Sequence, residues 1–442
     1  MNKVVYIGII GYGVVGKGTV AALIDNFKTI KGKTGIDIVI KGIADRSIDK
    51  KEDNYLSNVE IKTNNYMDLI NDKSIDIIVE LIGGYTIAKD IVIRAIESGK
   101  HVVTANKALL ALHGKEIFPL AEKHGVDIGF EASVGGGIPI IRVMKEDLAT
   151  NNIEEIYSII NGTANYILTK MTEEGKGFDE VLKSAQEHGY AESDPTFDIE
   201  GIDAAHKIAI LSSIAFSTII DMENVFVEGI TNIKPIDIAI AKEFGCVIKL
   251  LAIAKRHNNN IEVRVHPTMI SLQNTLAQVN GVFNAVNIKS DKTGSTLHYG
   301  KGAGSLVTGA AVAGDIINIA RNITANSPVR VPVLGYVEKE KDLNIINIKD
   351  IYSAFYMRLM VEDTPGVLAQ VGLILANNGI SVSSALQREK SEEFNSSVPL
   401  VFMTHEVIGN SIINAVSEID KQPFVKEKTV VIRVEGSKLW NI

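Results

Sequence analysis

The sequence is poor in cysteine, in basic clusters and in long apolar runs. Cys246 is the only cysteine, which excludes an intrachain disulfide and a cysteine-based metal cage and fits a reducing cytoplasm. No stretch is rich in lysine and arginine, and the formal net charge is −8, so a nucleic-acid surface is not expected. No uninterrupted apolar stretch reaches membrane-spanning length, and the N-terminus lacks a basic segment followed by a cleavable apolar one. These absences predict a cytoplasmic protein that binds neither nucleic acid nor membranes.

The composition that remains is typical of a globular protein. Hydrophobic residues make up 46% of the sequence and charged residues 22%, which does not indicate disorder. A chain of 442 residues is too long for one hydrophobic core, so two or three domains are expected.

The N-terminal segment carries a glycine-rich pattern between a strand and a helix. Residues 3–10 form a β-type run, and a helical pattern follows the glycines to about Lys28. In this position the glycines permit a tight turn, close approach of a pyrophosphate and close packing of helix on strand, while the helix N-terminus supplies N–H groups. The predicted cofactor-binding residues of the turn are Gly11, Tyr12, Gly13, Val14, Val15 and Gly16.

Further strands alternate with helices, which predicts a parallel sheet of the α/β class. The predicted strands are 36–43, 76–82, 101–104 and 127–132, with a helix at 86–98. Asp45 and Arg46 follow the first of these strands. The acid would accept from ribose hydroxyls and favour NAD, whereas the arginine would accommodate the phosphate of NADP, so the choice stays open.

Two loops at the carboxyl ends of strands are candidates for contact with a ligand. Thr104 ends a strand and Lys107 follows it, at the sheet edge where open α/β sheets bind ligands; a solvated loop lysine is the alternative. Gly135, Gly136 and Gly137 follow the last strand. Their carbonyls could hold a cation, but a hinge between domains is the reading favoured by the residues alone.

The middle of the chain reads as an α+β unit with its own sheet. A strand at 153–160, a helix at 164–172, a hairpin at 246–269 and strands within 282–299 are predicted. The strands carry little charge on either face, which indicates a covered sheet, and a second copy of the same sheet is the expected cover.

One helix, predicted from Ile202 to Phe216, has charged residues at its start and apolar residues after them. Asp203 and Lys207 are four residues apart and so share a face. Glu192 and Asp198 lie in the turn before it. The spacing fits a helix whose first turns face a cleft, and it fits equally an ordinary ion pair on a surface helix.

The C-terminal part has the order βαββαβ, typical of a ferredoxin-like module that binds small ligands. Its predicted elements are strand 354–361, helix 367–377, strand 380–387, strand 397–405, helix 410–420 and strand 428–434.

The chain resembles the homoserine dehydrogenases that carry a C-terminal ACT regulatory domain. The matching segments are GYGVVGKGTV, ELIGG, VVTANKALL, FEASVGGGIPI, NGTANYILTKM, GYAESDPTFDIEGIDAAHKIAIL, KGAG and VEDTPGVLAQVGLILANNGISV. The resemblance implies reversible reduction of L-aspartate 4-semialdehyde to L-homoserine with NADH or NADPH, in threonine, isoleucine and methionine synthesis.

The resemblance also implies roles for particular residues. Lys207 would transfer the proton, with Asp203 beside it, and Lys107 would hold the reacting oxygen or relay its proton. Glu192, helped by Asp198, would bind the substrate amino group. The residues that would line the substrate pocket are Gly162, Thr163 and Tyr190. Those that would hold a monovalent cation, Na⁺ or K⁺, are Glu131, Val134, Gly136 and Ile138. Gly302 would lie on the nicotinamide side.

The domain boundaries expected from this resemblance divide the chain into four parts. They are a Rossmann-type NAD(P)-binding domain (1–132 with 303–325), an α+β substrate-binding and dimerisation domain (133–302), a linker (326–350) and an ACT domain (351–436). The resemblance implies a homodimer or homotetramer and feedback by threonine at the ACT domain.

Two other functions are consistent with parts of the sequence. A phosphorylating semialdehyde dehydrogenase would need a reactive cysteine, and Cys246 lies at the start of an apolar strand. A sensor without catalysis would bind an amino acid and a nucleotide passively. The joint presence of Glu192, Asp203, Lys207 and Lys107 argues against such a sensor.

Overall fold

The computed structural model describes residues 3–340, 343–388 and 397–436. The chain divides into two units, each assembled from segments that are separated in sequence. The first unit comprises Met1–Gly162, Ala205–Glu223 and Phe283–Leu343, and the second comprises Thr163–Ala204, Asn224–Val282 and Asn344–Ile442. No helix among the described residues is long and apolar enough to cross a membrane.

The first unit contains a parallel sheet with strand order β3-β2-β1-β4-β5-β6. The strands are β1 (Lys3–Ile10), β2 (Ile36–Ala44), β3 (Ile61–Thr63), β4 (Ile77–Glu80), β5 (His101–Thr104) and β6 (Ile128–Gly129). The helices between them are α1 (Val14–Asp25), α2 (Phe27–Thr34), α3 (Met67–Asn71), α4 (Thr86–Glu97) and α5 (Lys107–His124). Strand β4 is buried along its whole length and the last four residues of β1 are buried as well, because helices cover both faces of a sheet of this kind.

Helix α11 (Ser305–Thr324), far along the chain, packs against α1 in the first unit. The backbones meet closely: a Cβ atom added at Gly18 would lie 2.0 Å from the carbonyl oxygen of Ser305, and one at Gly309 would lie 2.3 Å from the carbonyl carbon of Gly18. The Ser305 hydroxyl donates to the Val14 carbonyl at 2.7 Å. Only glycine permits this contact, so α11 fits directly onto the first helix of the sheet domain.

The first unit also holds three antiparallel strands in the order β12-β11-β7. They are β7 (Ile153–Ile159), β11 (Phe283–Ser290) and β12 (Gly294–Lys301). Helix α6 (Gly162–Glu174) begins at the last residue of the first segment, and α9 (Ile202–Ala215) has its first residues in the second unit and the rest in the first.

The second unit contains strands in the order β9-β10-β18-β14-β16-β15. The strands of this unit are β8 (Phe226–Val227), β9 (Cys246–His257), β10 (Asn260–Ser271), β13 (Asn344–Ile345), β14 (Tyr352–Glu362), β15 (Val382–Gln387), β16 (Ser397–Thr404), β17 (Val407–Ile408) and β18 (Val430–Glu435). Its helices include α7 (Phe178–Glu187), α8 (Thr196–Ile199), α10 (Pro235–Glu243), α12 (Val367–Asn377) and α13 (Gly409–Ile419).

The last strand of the βαββαβ module joins the module to the rest of this unit. Strand β18 pairs antiparallel with β14 inside the module and parallel with β10 outside it, with Thr268 opposite Arg433 and Ile270 opposite Glu435. The hairpin β9–β10 and the module therefore form one continuous sheet. The predicted fold class, a Rossmann-type parallel sheet, an α+β domain and a ferredoxin-like βαββαβ module, is confirmed.

Several predicted element boundaries need correction. The helix expected to reach Lys28 stops at Asp25, and a second helix follows after Asn26. The strand expected at 127–132 keeps only Ile128–Gly129. Its continuation turns away because the Glu131 N–H donates to Asp315 on α11 at 2.7 Å. The predicted linker includes a short strand that pairs with β10; its residues 341–342 lie outside the described residues.

Candidate functional site

The glycine-rich turn has the geometry of a phosphate-binding loop. Gly11 has a φ of +103°, and a Cβ atom there would lie 2.5 Å from the Leu81 carbonyl oxygen. A Cβ atom at Gly16 would lie 2.2 Å from the carbonyl oxygen of Gly11, whereas Gly13 has nothing within 4 Å of that position. The first and third glycines are thus required by packing, and the second faces open space beside the N-terminus of α1. That arrangement fits a dinucleotide pyrophosphate.

A cavity of about 430 Å³ adjoins this turn at the carboxyl edge of the sheet. It is lined by residues at or just beyond the carboxyl ends of β1, β2, β3 and β4, among them Asp45, Arg46, Tyr66 and Gly83. The volume and position suit the adenosine half of a nicotinamide dinucleotide.

The carboxylate of Asp45 is already engaged by protein donors. It accepts from the Tyr12 N–H at 2.8 Å, from the N–H and hydroxyl of Ser47, and from Lys51, whose Nζ lies 2.7 Å away. Burial by itself would raise the pKa of Asp45, but these donors hold the pKa far below its usual value. The acid is ionised and partly neutralised by Lys51.

Lys107 is the first residue of α5, directly after the carboxyl end of β5. The preceding residue, Asn106, caps the helix by accepting from the Leu109 N–H at 3.0 Å, and its own N–H donates to the Thr104 hydroxyl. That hydroxyl donates to Glu80, a fully buried acid at the end of β4. Glu80 was not among the predicted site residues. Its signal in the sequence was one acid closing an apolar strand, Ile-Ile-Val-Glu.

The loop of Gly135, Gly136 and Gly137, which follows β6, lies against the loop that carries Gly302; both belong to the first unit. A Cβ atom at Gly136 would lie 2.2 Å from the carbonyl oxygen of Gly302. The Glu131 carboxylate accepts from the N–H groups of Ile140, Ile141 and Arg142 and from the Arg142 side chain. Its lone pairs are used by these donors, so a cation in this loop would be held by main-chain carbonyls. Among the described residues, no group of three or more acidic, histidine or cysteine side chains is arranged to hold a metal ion.

The predicted proton-transfer residue, Lys207, is on α9 in the first unit, the unit that also holds Lys107 and the glycine-rich turn. Its Nζ donates to the carbonyl oxygen of Ile160 at 2.7 Å. This bond directs the amine toward the end of β7, two residues before Gly162. The side chain is partly buried. Asp203 on the same helix is buried, with 2% of its surface exposed.

The predicted substrate-binding residues Glu192, Asp198, Thr163 and Tyr190 belong to the second unit. The Thr163 hydroxyl donates to the Tyr190 carbonyl at 2.9 Å, which ties the start of α6 to the loop that carries Glu192. The Tyr190 ring lies 4.6 Å from the Tyr166 ring, measured between centroids. The Glu192 side chain is exposed, and Asp198 is in the short helix α8.

Cys246 has none of the properties of a catalytic nucleophile. It is 2% exposed at the start of β9, and burial raises the pKa of its thiol to about 11. A nucleophilic cysteine needs the opposite shift. Chemistry that proceeds through a thioester is therefore not supported.

Family models match three regions of the chain. They are the NAD-binding domain of homoserine dehydrogenase at residues 11–131, the homoserine dehydrogenase domain at 139–317 and the ACT domain at 355–424.

Full-length relatives give the same result. The chain is 44% identical to a homoserine dehydrogenase of Pseudomonas aeruginosa over 98% of this chain and 99% of that protein, and 44% identical to one of Neisseria gonorrhoeae with the same coverage. It is similar to the crystal structure of a homoserine dehydrogenase from Thiobacillus denitrificans, with a TM-score of 0.92 and 43% identity over 98% of each chain. A hyperthermophilic archaeal homoserine dehydrogenase in complex with NADPH has a TM-score of 0.61 and 28% identity, covering 74% of this chain and 99% of that one.

Proposed function

The chain belongs to the homoserine dehydrogenase family, and from that premise we propose which of its residues carry out the reaction and how the enzyme is regulated. It is an NAD(P)-dependent oxidoreductase that acts on a CH–OH group, interconverting L-homoserine and L-aspartate 4-semialdehyde. The whole-chain match to homoserine dehydrogenases carries this conclusion.

The reaction requires a proton to move as a hydride moves. The bound nicotinamide supplies or accepts the hydride at the carbinol carbon. In the direction of oxidation, Lys207 takes the hydroxyl proton while the hydride leaves; in the direction of reduction, Lys207 returns that proton to the aldehyde oxygen. Lys107 orients the same oxygen. The position of both lysines in the first unit, which also holds the glycine-rich turn, supports these roles.

The substrate is a zwitterionic amino acid, so its ammonium group needs negative charge nearby. Glu192 binds the ammonium group, with Asp198 beside it, and Gly162, Thr163 and Tyr190 line the pocket. Asp203 stands next to Lys207 and orients it. The hydrogen bond from Thr163 to the Tyr190 carbonyl supports this assignment because it ties the start of α6 to the loop of Glu192.

Replacement of Lys207 tests the mechanism. Lys207→Ala should lower kcat by roughly 10²–10⁴-fold, the usual contribution of a general acid–base group. Lys28→Ala, the same change at an exposed position on α2, is the matched control and should leave kcat unchanged. A kcat near that of the wild type in Lys207→Ala would remove Lys207 from the mechanism.

The preferred cofactor is NADP(H). An acidic residue after the second strand favours NAD when it accepts from the ribose hydroxyls. In this protein the Asp45 carboxylate is instead engaged by Lys51, Ser47 and the Tyr12 N–H. Arg46 lines the same cavity, and two basic groups beside the ribose favour a 2′-phosphate.

A monovalent cation is assigned to the loop formed by Glu131, Val134, Gly136 and Ile138, with main-chain carbonyls as its ligands. Initial rates in Na⁺, K⁺ and tetramethylammonium chloride at equal ionic strength test this assignment. Equal rates in all three salts would exclude a specific cation.

Threonine regulates the enzyme through the ACT domain. The pairing of β18 with β10 supports coupling between the ACT domain and the rest of the second unit, because buried charged side chains connect the two strands. Arg264 on β10, which is fully buried, donates to Glu262 at 2.9 Å and to Glu435 of β18 at 2.6 Å. Burial alone would raise the pKa of Glu435, but Arg264 and Lys255 hold that pKa at about 2.

Strand β10 is connected in turn to the segment that carries Asp198. The Val265 carbonyl accepts from the Glu228 N–H, and the Ile199 carbonyl accepts from the Ile230 N–H, each at 2.8 Å. A shift of β18 on binding an effector would thus be transmitted within the second unit to the residue beside Asp198.

Calorimetry with L-threonine, and initial rates at saturating threonine, test this regulation, with L-serine as the control amino acid. Absence of both heat and any change in rate would exclude threonine as the effector. The expected assembly, a homodimer or homotetramer, is measured by light scattering on the purified protein.

A further inference from the structure

We propose that Glu80 is a positioning residue for the reaction: its buried carboxyl group holds the turn that places Lys107. This inference rests on the proposed role of Lys107 as the residue that orients the reacting oxygen. Glu80 is the last residue of β4 and is 0% exposed. It pairs with Ile10 of β1 on one side and with Thr104 of β5 on the other.

The carboxyl group accepts hydrogen bonds from two loops at the carboxyl edge of the sheet. Oε2 accepts from the Thr104 hydroxyl at 2.7 Å, and Oε1 accepts from the Ile82 N–H at 2.9 Å. The Asn106 side chain also acts to lower the pKa of Glu80. The Thr104 hydroxyl and the Ile82 N–H both donate, so they match the acceptor capacity of a carboxylate and not that of an amide.

The Ile82 bond also links Glu80 to the glycine-rich turn. Strand β4 ends at Glu80 because its carboxylate takes the N–H of Ile82 two residues on. This bond fixes Leu81. A Cβ atom added at Gly11 would lie only 2.5 Å from the Leu81 carbonyl oxygen, so Leu81 packs directly against the glycine-rich turn. One buried acid therefore holds the cofactor turn and the Lys107 turn in fixed relation to each other.

A series of hydrogen bonds connects Thr104 through Asn106 to the turn that carries Lys107. The Thr104 hydroxyl accepts from the Asn106 N–H at 3.0 Å, and Asn106 caps α5 by accepting from the Leu109 N–H. Asn106 also donates through Nδ2 to the Gly84 carbonyl. Lys107 is the next residue, and its N–H donates to the Ala105 carbonyl at 3.1 Å. The direction of the first turn of α5 thus depends on the Glu80 carboxyl group.

Burial opposes the charge on Glu80 and raises its pKa, while Thr104, Ile82 and Asn106 act in the other direction. A carboxyl group kept in an apolar strand against this opposition needs a compensating use. Placement of a catalytic lysine is such a use, because misplacing a reacting group by about 1 Å is sufficient to lower a rate about 100-fold.

The test is the variant Glu80→Gln, which preserves size but removes acceptor capacity. The glutamine keeps one oxygen that can accept from the Ile82 N–H beside the cofactor turn, so we expect the Kd of NADPH measured by fluorescence to stay within about 3-fold of the wild-type value. We expect kcat to fall roughly 10- to 100-fold, and the primary isotope effect with homoserine deuterated at the carbinol carbon to increase. A purely structural role would not raise the isotope effect. Glu116→Gln is the matched control: it makes the same change on the exposed face of α5, where Glu116 pairs with Lys89, and should leave kcat unchanged.

A second variant keeps the proposal testable if Glu80→Gln does not fold. Thr104→Val is isosteric and removes the hydroxyl that joins Glu80 to Asn106, so it should lower kcat in the same way. If both variants fold, the double variant should be no worse than Glu80→Gln, because the two groups act through one connection. Additive losses, an unchanged kcat in folded Glu80→Gln, or a loss of NADPH affinity equal to the loss of kcat would each overturn the proposal.

Lys107→Met, measured alongside, distinguishes a failure of the role proposed for Lys107 from a failure of the role proposed for Glu80. If Lys107→Met retains full activity, the proposed role of Lys107 fails and the positioning role of Glu80 fails with it. If Lys107→Met is inactive while Glu80→Gln is fully active, only the role assigned to Glu80 is wrong.

Discussion

Removal of Asp237 should loosen the ACT module from the helix beneath it. Asp237 on α10 is 0% exposed and accepts from Arg358 Nε at 2.7 Å and from the Tyr356 hydroxyl at 2.8 Å, both on β14 of the module. It also accepts from the Lys234 N–H at 3.0 Å, which caps its own helix. Arg358 is 1% exposed, so the ion pair is fully withdrawn from water.

The magnitude follows from these contacts. Breaking a buried ion pair by removing one partner costs about 3–5 kcal/mol, because the other charge stays buried without compensation. Loss of the cap adds about 1 kcal/mol. Asp237→Ala should therefore lower the free energy of opening around β14 by about 4–6 kcal/mol, which is roughly a 10³- to 10⁴-fold increase in the open population.

Native-state hydrogen exchange of the amides in α10, β14 and β16 measures this free energy locally. Glu427→Gln is the matched control, because Glu427 forms an exposed ion pair with Lys234 at 2.7 Å at the start of the same helix. That change should cost about 0–1 kcal/mol. In the double variant Asp237→Ala/Arg358→Leu no charge is left unpaired, so its cost should be well below the sum of the single costs. A cost below about 1 kcal/mol for Asp237→Ala, or additivity in the double variant, would refute the reasoning.

Three further predictions concern the substrate, the cofactor and pH. Glu192→Gln should raise the KM for homoserine at least 10-fold with little change in kcat, and an unchanged KM would count against its ammonium-binding role. Lys51→Ala should shift the ratio of kcat/KM for NADP and NAD toward NAD about 10-fold by freeing the Asp45 carboxylate for the ribose; an unchanged ratio would exclude Lys51 from cofactor selection. Lys249 is buried in β9, and burial lowers its pKa to about 8 from 10.5. The folded protein therefore loses this proton before the unfolded chain does, and Tm should rise between pH 8 and about 10.5 relative to Lys249→Met; parallel Tm profiles for the two proteins would contradict that burial effect.

Elements set by local pattern were predictable from the sequence. Helix α12 has the bounds expected from its apolar spacing, Val367–Asn377, and the hairpin predicted at 246–269 forms as β9–β10. The glycine-rich turn was also predictable, because the positions of its glycines encode the backbone conformation directly.

Features set by distant contacts were not predictable. Strand β6 is short because Asp315, nearly two hundred residues later, captures the Glu131 N–H. The parallel pairing of β18 with β10 joins strands whose partners no local pattern specifies. Glu80 was missed for the same reason: its role depends on Thr104 and Asn106, which approach it only in the folded sheet.

The contact between α1 and α11 has a consequence for how the protein is made. The Ser305 hydroxyl meets the Val14 carbonyl across 291 positions of sequence, so the nascent sheet domain leaves the ribosome with the apolar face of its first helix uncovered. That face stays exposed until α11 has been synthesised, which takes tens of seconds at roughly 5–20 residues per second. During that interval we expect chaperones to bind the growing polypeptide. A chain truncated before α11 should be insoluble.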